Sequence, residues 1–309
     1  MDGLLILLPA LVIDLTLGEP PPIIHPVVWM GKVVSFLMRG GSARSPVAQF
    51  LYGLGVVLAM VGIFVVPVYF FLSYLKGISL IAYVAIAALI LKISFSLKEL
   101  RRAAFKVRSL LAKDKLDEAR FELRALVGRD TAQLDKSLMV SATVESVAEN
   151  SCDSFVAPLF YFLLFGVSGA VTYRVVNTLD AVIGHHGRFE YLGKFAARLD
   201  SVLNLIPARV TALMIVLAAR ICKKDASSAW RIMLRDRGKT ESPNAGWTMS
   251  AIAGALRVEL EKVGFYKLGD NYSSLSLKTI DASLRIVMTT AFIWSLLLIL
   301  AEVIYHVAT

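Results

Sequence analysis

Three runs of apolar residues, 50–74, 78–97 and 286–306, are each long enough to cross a hydrocarbon core, which takes about 20 residues of helix. No water is available there to satisfy a bare backbone, so such runs commit the chain to helices. Residues 4–17 form a fourth, shorter span with Asp14 near its end. A carboxylate in lipid is costly, so Asp14 is expected to face protein or a watery cavity. Composition agrees, since 57% of the 309 residues are hydrophobic, against about 45–50% in soluble domains. The expected fold class is all-α, a polytopic helical membrane protein forming a single integral membrane domain over residues 1–309.

Two further apolar stretches are interrupted. Residues 157–176 carry Gly166-Val167-Ser168-Gly169, and residues 202–221 hold Asn204, Pro207 and Arg209 in their first half. Each reads as a kinked span or as a re-entrant helix, because non-helical backbone survives at membrane depth only where protein covers it. Between Lys98 and Ser141 there are eleven Lys/Arg against seven Asp/Glu. Lys223-Lys224 head the other long polar stretch, whereas Leu75-Lys76-Gly77, read as the turn between two spans, holds a single Lys. Cytoplasmic loops collect Lys and Arg. Residues 98–153 and 222–285 are therefore expected to be cytoplasmic helical segments of a multi-pass cell-membrane protein. The N-terminal run lacks a basic start and a small-residue cleavage site, and reads as retained rather than as a signal peptide.

The formal net charge of +9 suits anionic lipid and can attract anionic substrates. No basic patch is interleaved with aromatics, so no nucleic-acid partner is expected. Cys152 and Cys222 stand far apart, outside any CxxC, and read as reduced thiols rather than a disulfide or a zinc site.

Chemistry is expected where polar residues border the apolar runs. After helices at 97–111 and 116–127, Gly128 suits a C-cap, and Asp130 with Gln133 reads as a capping box opening the next helix. That helix runs into TVESVAENSCDSFVAP, where Glu145, Glu149 and Asp153 recur every four residues and would share one stripe. Three aligned carboxylates repel unless a cation lies among them. A solvated acidic face is the plain alternative, but Val144, Val147, Ala148, Phe155 and Val156 flank the stripe. The three are read as ligands of a divalent cation, with magnesium favoured by oxygen donors.

YRVVNTLDAVIGHH supplies Arg174, Asn177 and Asp180. An N-cap role for Asn177 or Thr178 explains part of this, but not Arg174. His185-His186 is a weaker signal, since adjacent histidines point different ways on a helix. FAARLDSVLNLIPAR adds Arg198, Asp200 and Arg209. An Arg and an Asp two apart do not face each other on a helix, which invites an external anion such as phosphate or carboxylate. In GEPPPIIHPVVWMGK, three prolines stiffen the approach to His25, and Pro26 suits the first helical position. A stiff loop presenting His25 and Lys32 could bind an anion, and a capped interfacial helix explains it equally. ESPNAGW, with Asn244 and Gly246, is poor material for a helix or strand. Neither GxxxxGK[ST] nor GxGxxG occurs, so a nucleotide would not bind through those motifs. Together these residues suit an anion-handling enzyme or a transporter.

Six stretches, in order, resemble the adenosylcobinamide-phosphate synthases, the CbiB-type membrane proteins of cobalamin biosynthesis. They are DLTLGEPPPIIHPVVWMGK, LVGRDTAQLD, VESVAENSCDSFVAPLFYFLLFG, YRVVNTLDAVIG, ARLDSVLNLIPARVTALM and SPNAGWTMSAIAGAL. The resemblance runs nearly end to end and departs at HHGRFEY and at Lys239-Thr240-Glu241. It implies an ATP-dependent ligase that joins adenosylcobyric acid to (R)-1-aminopropan-2-ol or its O-phosphate, giving adenosylcobinamide or its phosphate. ATP and Mg2+ are the implied cofactors. The implied partners are the corrinoid, aminopropanol or aminopropanol phosphate, the lipid bilayer and other enzymes of the pathway. On this resemblance Glu145, Glu149, Asp153 and Asp180 are catalytic, the first three holding the metal. The substrate-binding set is His25, Lys32, Asn150, Arg174, Asn177, Arg198, Asp200, Arg209, Asn244 and Gly246. The rival reading is a membrane transporter or receptor for a corrinoid or other anionic ligand, which broken membrane segments would serve as well.

Overall fold

Apolar runs of this length have only one way to satisfy their backbone, and the chain takes it. The structure, a computed structural model, describes residues 2–21, 23, 25–40, 45–184 and 190–308. It is helical almost throughout and divides into two compact units. One unit comprises Met1–Ser96, Ala157–Leu203 and Leu298–Thr309, and the other Leu97–Val156 and Asn204–Leu297.

The first unit holds α1 (Asp2–Thr16), α2 (Pro26–Leu37), α3 (Pro46–Ile78), α4 (Leu80–Ser94), α8 (Ala157–Ile183), α9 (Glu190–Leu203) and the end of α13 (Leu277–Ala308). In α3 the most apolar window has a mean hydropathy of 2.5, yet only 17% of it is buried. Leu51, Leu58, Ile63, Val66 and Phe70 stand exposed along it. A continuous apolar face of this kind belongs in lipid. The protein is an all-α, polytopic membrane protein.

Among the described residues, four helical stretches have the length and hydropathy to cross a membrane: Pro46–Ile78, Leu80–Ala112, Lys136–Ile183 and Leu277–Val307. The anticipated first span is not among them. Helix α1 has 15 residues, about 22 Å at 1.5 Å per residue, and packs Ile6, Leu7 and Ala10 inward. The turn read at Leu75-Lys76-Gly77 is also displaced. Helix α3 continues to Ile78, and Ser79 breaks it at φ −153° while its Oγ accepts the Ala82 N–H to cap α4.

Helix α8 is broken at Gly166, where φ is 65° and ψ −159°. The rings of Tyr161 and Tyr173 nevertheless stack at 5.5 Å. Twelve residues of straight helix would hold them about 18 Å apart, so the chain doubles back at Gly166. The helical run that meets this reversal is continuous from Lys136 through the π turn at Cys152–Val156. A second interruption falls at Asn204, between the bent helix pair Tyr191–Leu203 and Leu205–Ile221.

The second unit contains α5 (Leu97–Ala112), α6 (Leu116–Leu123), α7 (Lys136–Ser151) with a π-helical turn at Cys152–Val156, α10 (Leu205–Ile221), α11 (Ala226–Asp236), α12 (Ala245–Leu256) and the first part of α13. Its core joins Val107 and Leu111 of α5 to Met139, Val144 and Val147 of α7, Ile215 of α10 and Ile252 of α12, all fully buried. An antiparallel hairpin, β1 (Glu259–Lys262) with β2 (Tyr266–Gly269), adds Leu260 and Leu268 to this core. The apolar pattern did not announce those strands.

Two capping expectations fail here. Helix α6 ends at Leu123 rather than at Gly128, and α7 is capped by Asp135, whose carboxylate accepts the Leu138 N–H at 2.8 Å. Asp130 instead accepts from Ala132 N in a local turn. A short acidic side chain serves either purpose, and the nearer bond prevailed.

Candidate functional site

The first unit buries charge. Lys92 is 3% exposed in the last turn of apolar α4, and Asp14 of α1 is 2% exposed. The Lys92 ammonium lies 3.3 Å from Asp14 and 2.5 Å from Glu19. Glu19 in turn meets His25 Nε2 at 2.7 Å. The Glu19 carboxyl is pushed up by burial, but the hydrogen bonds from His25 and Lys92 prevail and hold it at about 2. His25 does a second job. Its Nδ1 accepts the Val27 N–H as the cap of α2, and Pro26 takes the first helical position. The proline-rich loop thus delivers a carboxylate onto a buried lysine and an imidazole onto that carboxylate.

A second chain of contacts lies at the end of α4. Arg174 Nε of α8 donates to the Ser94 carbonyl at 2.8 Å, and its Nη1 reaches Asn177 Oδ1 at 3.3 Å. Asn177 Nδ2 donates onward to Asp200 Oδ1 of α9, also at 3.3 Å. Neither Asn177 nor Thr178 caps a helix, because both lie inside α8. Asp200 is buried while Arg198 points outward, so the side chains part as their two-residue spacing requires. Asp180 is half-buried one turn beyond Asn177, Lys32 is exposed, and His185 and His186 lie outside the described residues.

In the second unit Glu145 is 4% exposed and already engaged. Ser141 Oγ donates to it at 2.7 Å, Tyr266 Oη at 2.9 Å, and Arg129 Nη2 lies at 3.4 Å. Ser141 also accepts the Glu261 N–H at 2.8 Å, which docks the hairpin onto α7. Burial first, and then the neighbouring Glu145 carboxylate, push the Tyr266 phenol above its ordinary range. Glu149 is half-buried one turn on, and Asp153 lies in the π turn, where the four-residue repeat no longer holds. Among the described residues no three His, Cys, Asp or Glu side chains gather as a metal-holding group. Arg129, Ser141 and Tyr266 already engage the carboxylate of Glu145, the first of the three expected metal ligands. Asn150 donates to the Ser146 carbonyl at 3.0 Å and accepts from Ser154 Oγ at 3.3 Å, holding the helix as it passes into the π turn. Neither Cys152 nor Cys222 is in a disulfide.

The ESPNAGW stretch forms the approach to α12. Asn244, 6% exposed, is the N-cap residue. Gly246 is fixed by space, since a Cβ there would fall 2.2 Å from the Arg237 carbonyl and 2.8 Å from Thr240 Oγ1. Trp247 is flanked by two guanidiniums, Arg209 at 4.7 Å and Arg237 at 4.6 Å from the ring centre. Sequence reading missed Lys92, Arg129, Arg237 and Tyr266. Only Lys92 had a local signal, as the one charge in residues 78–97.

The family model described as CobD/Cbib protein matches residues 7–291, which takes in all of these groups. The chain belongs to the CobD/CbiB family. This is the family of the adenosylcobinamide-phosphate synthases, and membership places the chain in cobalamin biosynthesis. A relative from Dehalococcoides mccartyi, named cobalamin biosynthesis protein CobD, is 51% identical over 297 residues and is covered to 96% on both sides. Relatives named probable cobalamin biosynthesis protein CobD are 39% identical in Methanothermobacter thermautotrophicus, over 96% of this chain and 97% of theirs, and 40% identical in Thermococcus kodakarensis, over 86% and 85%. No solved structure matches the chain.

Proposed function

We propose that this protein is an ATP-dependent ligase that joins a propionate carboxylate of adenosylcobyric acid to the amine of (R)-1-aminopropan-2-ol or its O-phosphate. The observation that carries the reading is the family match over residues 7–291, together with near-complete mutual coverage of relatives named for cobalamin biosynthesis. A carboxylate and an amine at neutral pH form a salt, so the carboxylate needs activation at the expense of ATP. Chemistry of this kind relies on positioning and on charge stabilisation. The chain offers cations for it in Arg209 and Arg237, and hydrogen-bonding groups in Arg174, Asn177 and Asp200. In this reading magnesium enters with ATP, and Glu145, Glu149 and Asp153 are the carboxylates that would hold it. The cell membrane is the proposed location, with residues 98–153 and 222–285 on the cytoplasmic side, where ATP is available.

The test is turnover by the detergent-solubilised protein with cobyric acid, aminopropanol or its phosphate, ATP and magnesium. One nucleotide cleaved per amide formed is the expected result. The reversal of the chain at Gly166 keeps a transporter as the second reading. Corrinoid counterflow in liposomes with no ATP-dependent amide would overturn the ligase in its favour.

A further inference from the structure

In the run RDRGK, three basic residues surround one buried aspartate, and they do not share its charge equally. Asp236 is fully buried and takes Arg235 at 2.8 Å, Lys239 at 2.7 Å and the Gly269 N–H at 2.8 Å. Arg235 also reaches Asp270 at 2.8 Å. Arg237 takes no part. Among the described residues it meets no carboxylate within 4 Å, and neither does Arg209 of α10, which donates only to the Leu205 carbonyl. Both rest on Trp247. Two cations on one ring stand no more than about 10 Å apart, within roughly one Debye length at 0.1 M salt, so part of their repulsion survives screening.

The indole eases that repulsion and also orients the groups. A guanidinium stacked on a ring keeps its N–H donors in its own plane, free to grip an anion two at a time. Beside them opens a recess of about 650 Å³, completed by Gly238, Thr240, Glu241 and Pro243. The first turn of α12, twelve residues long, begins at its wall, and the Asn244 side chain makes no capping bond there. The positive end of that helix therefore favours the same charge. Glu241 is the one acidic group of the lining, exposed and outside ion-pair range of both arginines.

We propose that Arg209, Arg237 and Trp247 form a phosphate-binding site. Its ligand class is a phosphate ester carrying a dianionic terminal group, gripped by the two guanidiniums. The site stands on this recess alone. Which phosphate it holds, that of the amino alcohol or that of the nucleotide, rests on the ligase reading.

Trp247 supplies the readout. In the full-length protein in detergent, with Trp29, Trp230 and Trp294 changed to Phe, the remaining fluorescence reports on the recess. Titration with inorganic phosphate, aminopropanol phosphate and ATP should give a saturable change, tightest for the ester that belongs there. Arg237→Ala should weaken that ester at least tenfold without lowering the thermal midpoint, and Arg237→Lys should recover only part. Should the triple-Phe protein fail to fold, calorimetric titration of the unsubstituted chain and of Arg237→Ala replaces it. No saturable binding of any of the three, or equal affinity in Arg237→Ala, overturns the site. Binding without amide formation upholds the site and sinks the ligase. Amide formation with unaltered KM values in Arg237→Ala does the reverse.

Discussion

Glu145 shows how a side chain's meaning changes when its neighbours are known. As one of three aligned carboxylates it looked repulsive, and its neutralisation should then relieve strain. In the fold it is buried and receives Ser141, Tyr266 and Arg129. Glu145→Gln should therefore destabilise the protein by about 1.5–3 kcal/mol, the value of hydrogen bonds to a charged group. Thermal unfolding in detergent reads this directly, and a variant as stable as the wild type would return Glu145 to the repulsive stripe. Lys92 makes a stronger case. Lys92→Met leaves Asp14 and Glu19 without their cation, which costs about 3–5 kcal/mol when one partner of a buried pair is lost. Adding Glu19→Gln to Lys92→Met should recover part of that loss, and a strictly additive double mutant would show the two residues uncoupled. Asp236 adds a pH signature. Burial pushes its carboxyl up, but Arg235, Lys239 and the Gly269 N–H outweigh that and hold it at about 2, against 3.8 when unfolded. Its contribution is thus complete above about pH 4 and is lost as the pH falls toward 2. Asp236→Asn should lower stability at neutral pH and flatten that part of the acid limb in a pH series of unfolding midpoints.

Among the elements, α8 is the one whose shape depends on a single residue. Gly166 holds φ at 65°, and a Cβ there would meet nothing within 4 Å. The cost of Gly166→Ala is therefore purely conformational, about 1–3 kcal/mol for a residue forced to positive φ with extended ψ, a region used almost only by glycine. A loss near zero would mean that the chain does not reverse at this point. The interruption at 166–169 was visible as two glycines in an apolar run. Its direction was not, because a glycine permits a reversal without requiring one. The pairing of Tyr161 with Tyr173 decides it. The β1–β2 hairpin was invisible for a related reason. ELEK and YKLG each offer one buried side chain in alternation, too little for a strand signal. Their stability comes from Leu260 and Leu268 in the core and from the bonds to Ser141 and Glu145.

At the scale of the whole molecule, α3 and α13 expose apolar side chains along much of their length, so the protein should stay in the membrane fraction until detergent is added. The Lys/Arg placement makes a sharper prediction. Cysteine placed at Lys76 should react with an impermeant reagent from outside the cell, whereas cysteine at Lys113 or Lys239, both exposed, should react only after permeabilisation. Labelling of Lys113→Cys in intact cells would invert the assigned orientation and remove the argument for ATP access.

Hydropathy by itself determined that this chain is helical and belongs in a membrane, because satisfying a backbone in lipid is a local requirement that any 20-residue window reveals. It also marked residues 157–176 and 202–221 as irregular, since the glycines, the proline and the polar groups that interrupt them are written in place. Motif order was enough to suggest the family. Only the tertiary structure decided which charges are spent on each other. Lys92 meets Glu19 across 73 positions, and Tyr266 meets Glu145 across 121. No local pattern encodes such a pairing, because it depends on which helix faces pack together. The same packing set Ser141, Tyr266 and Arg129 on Glu145 and left Arg209 and Arg237 facing a single tryptophan.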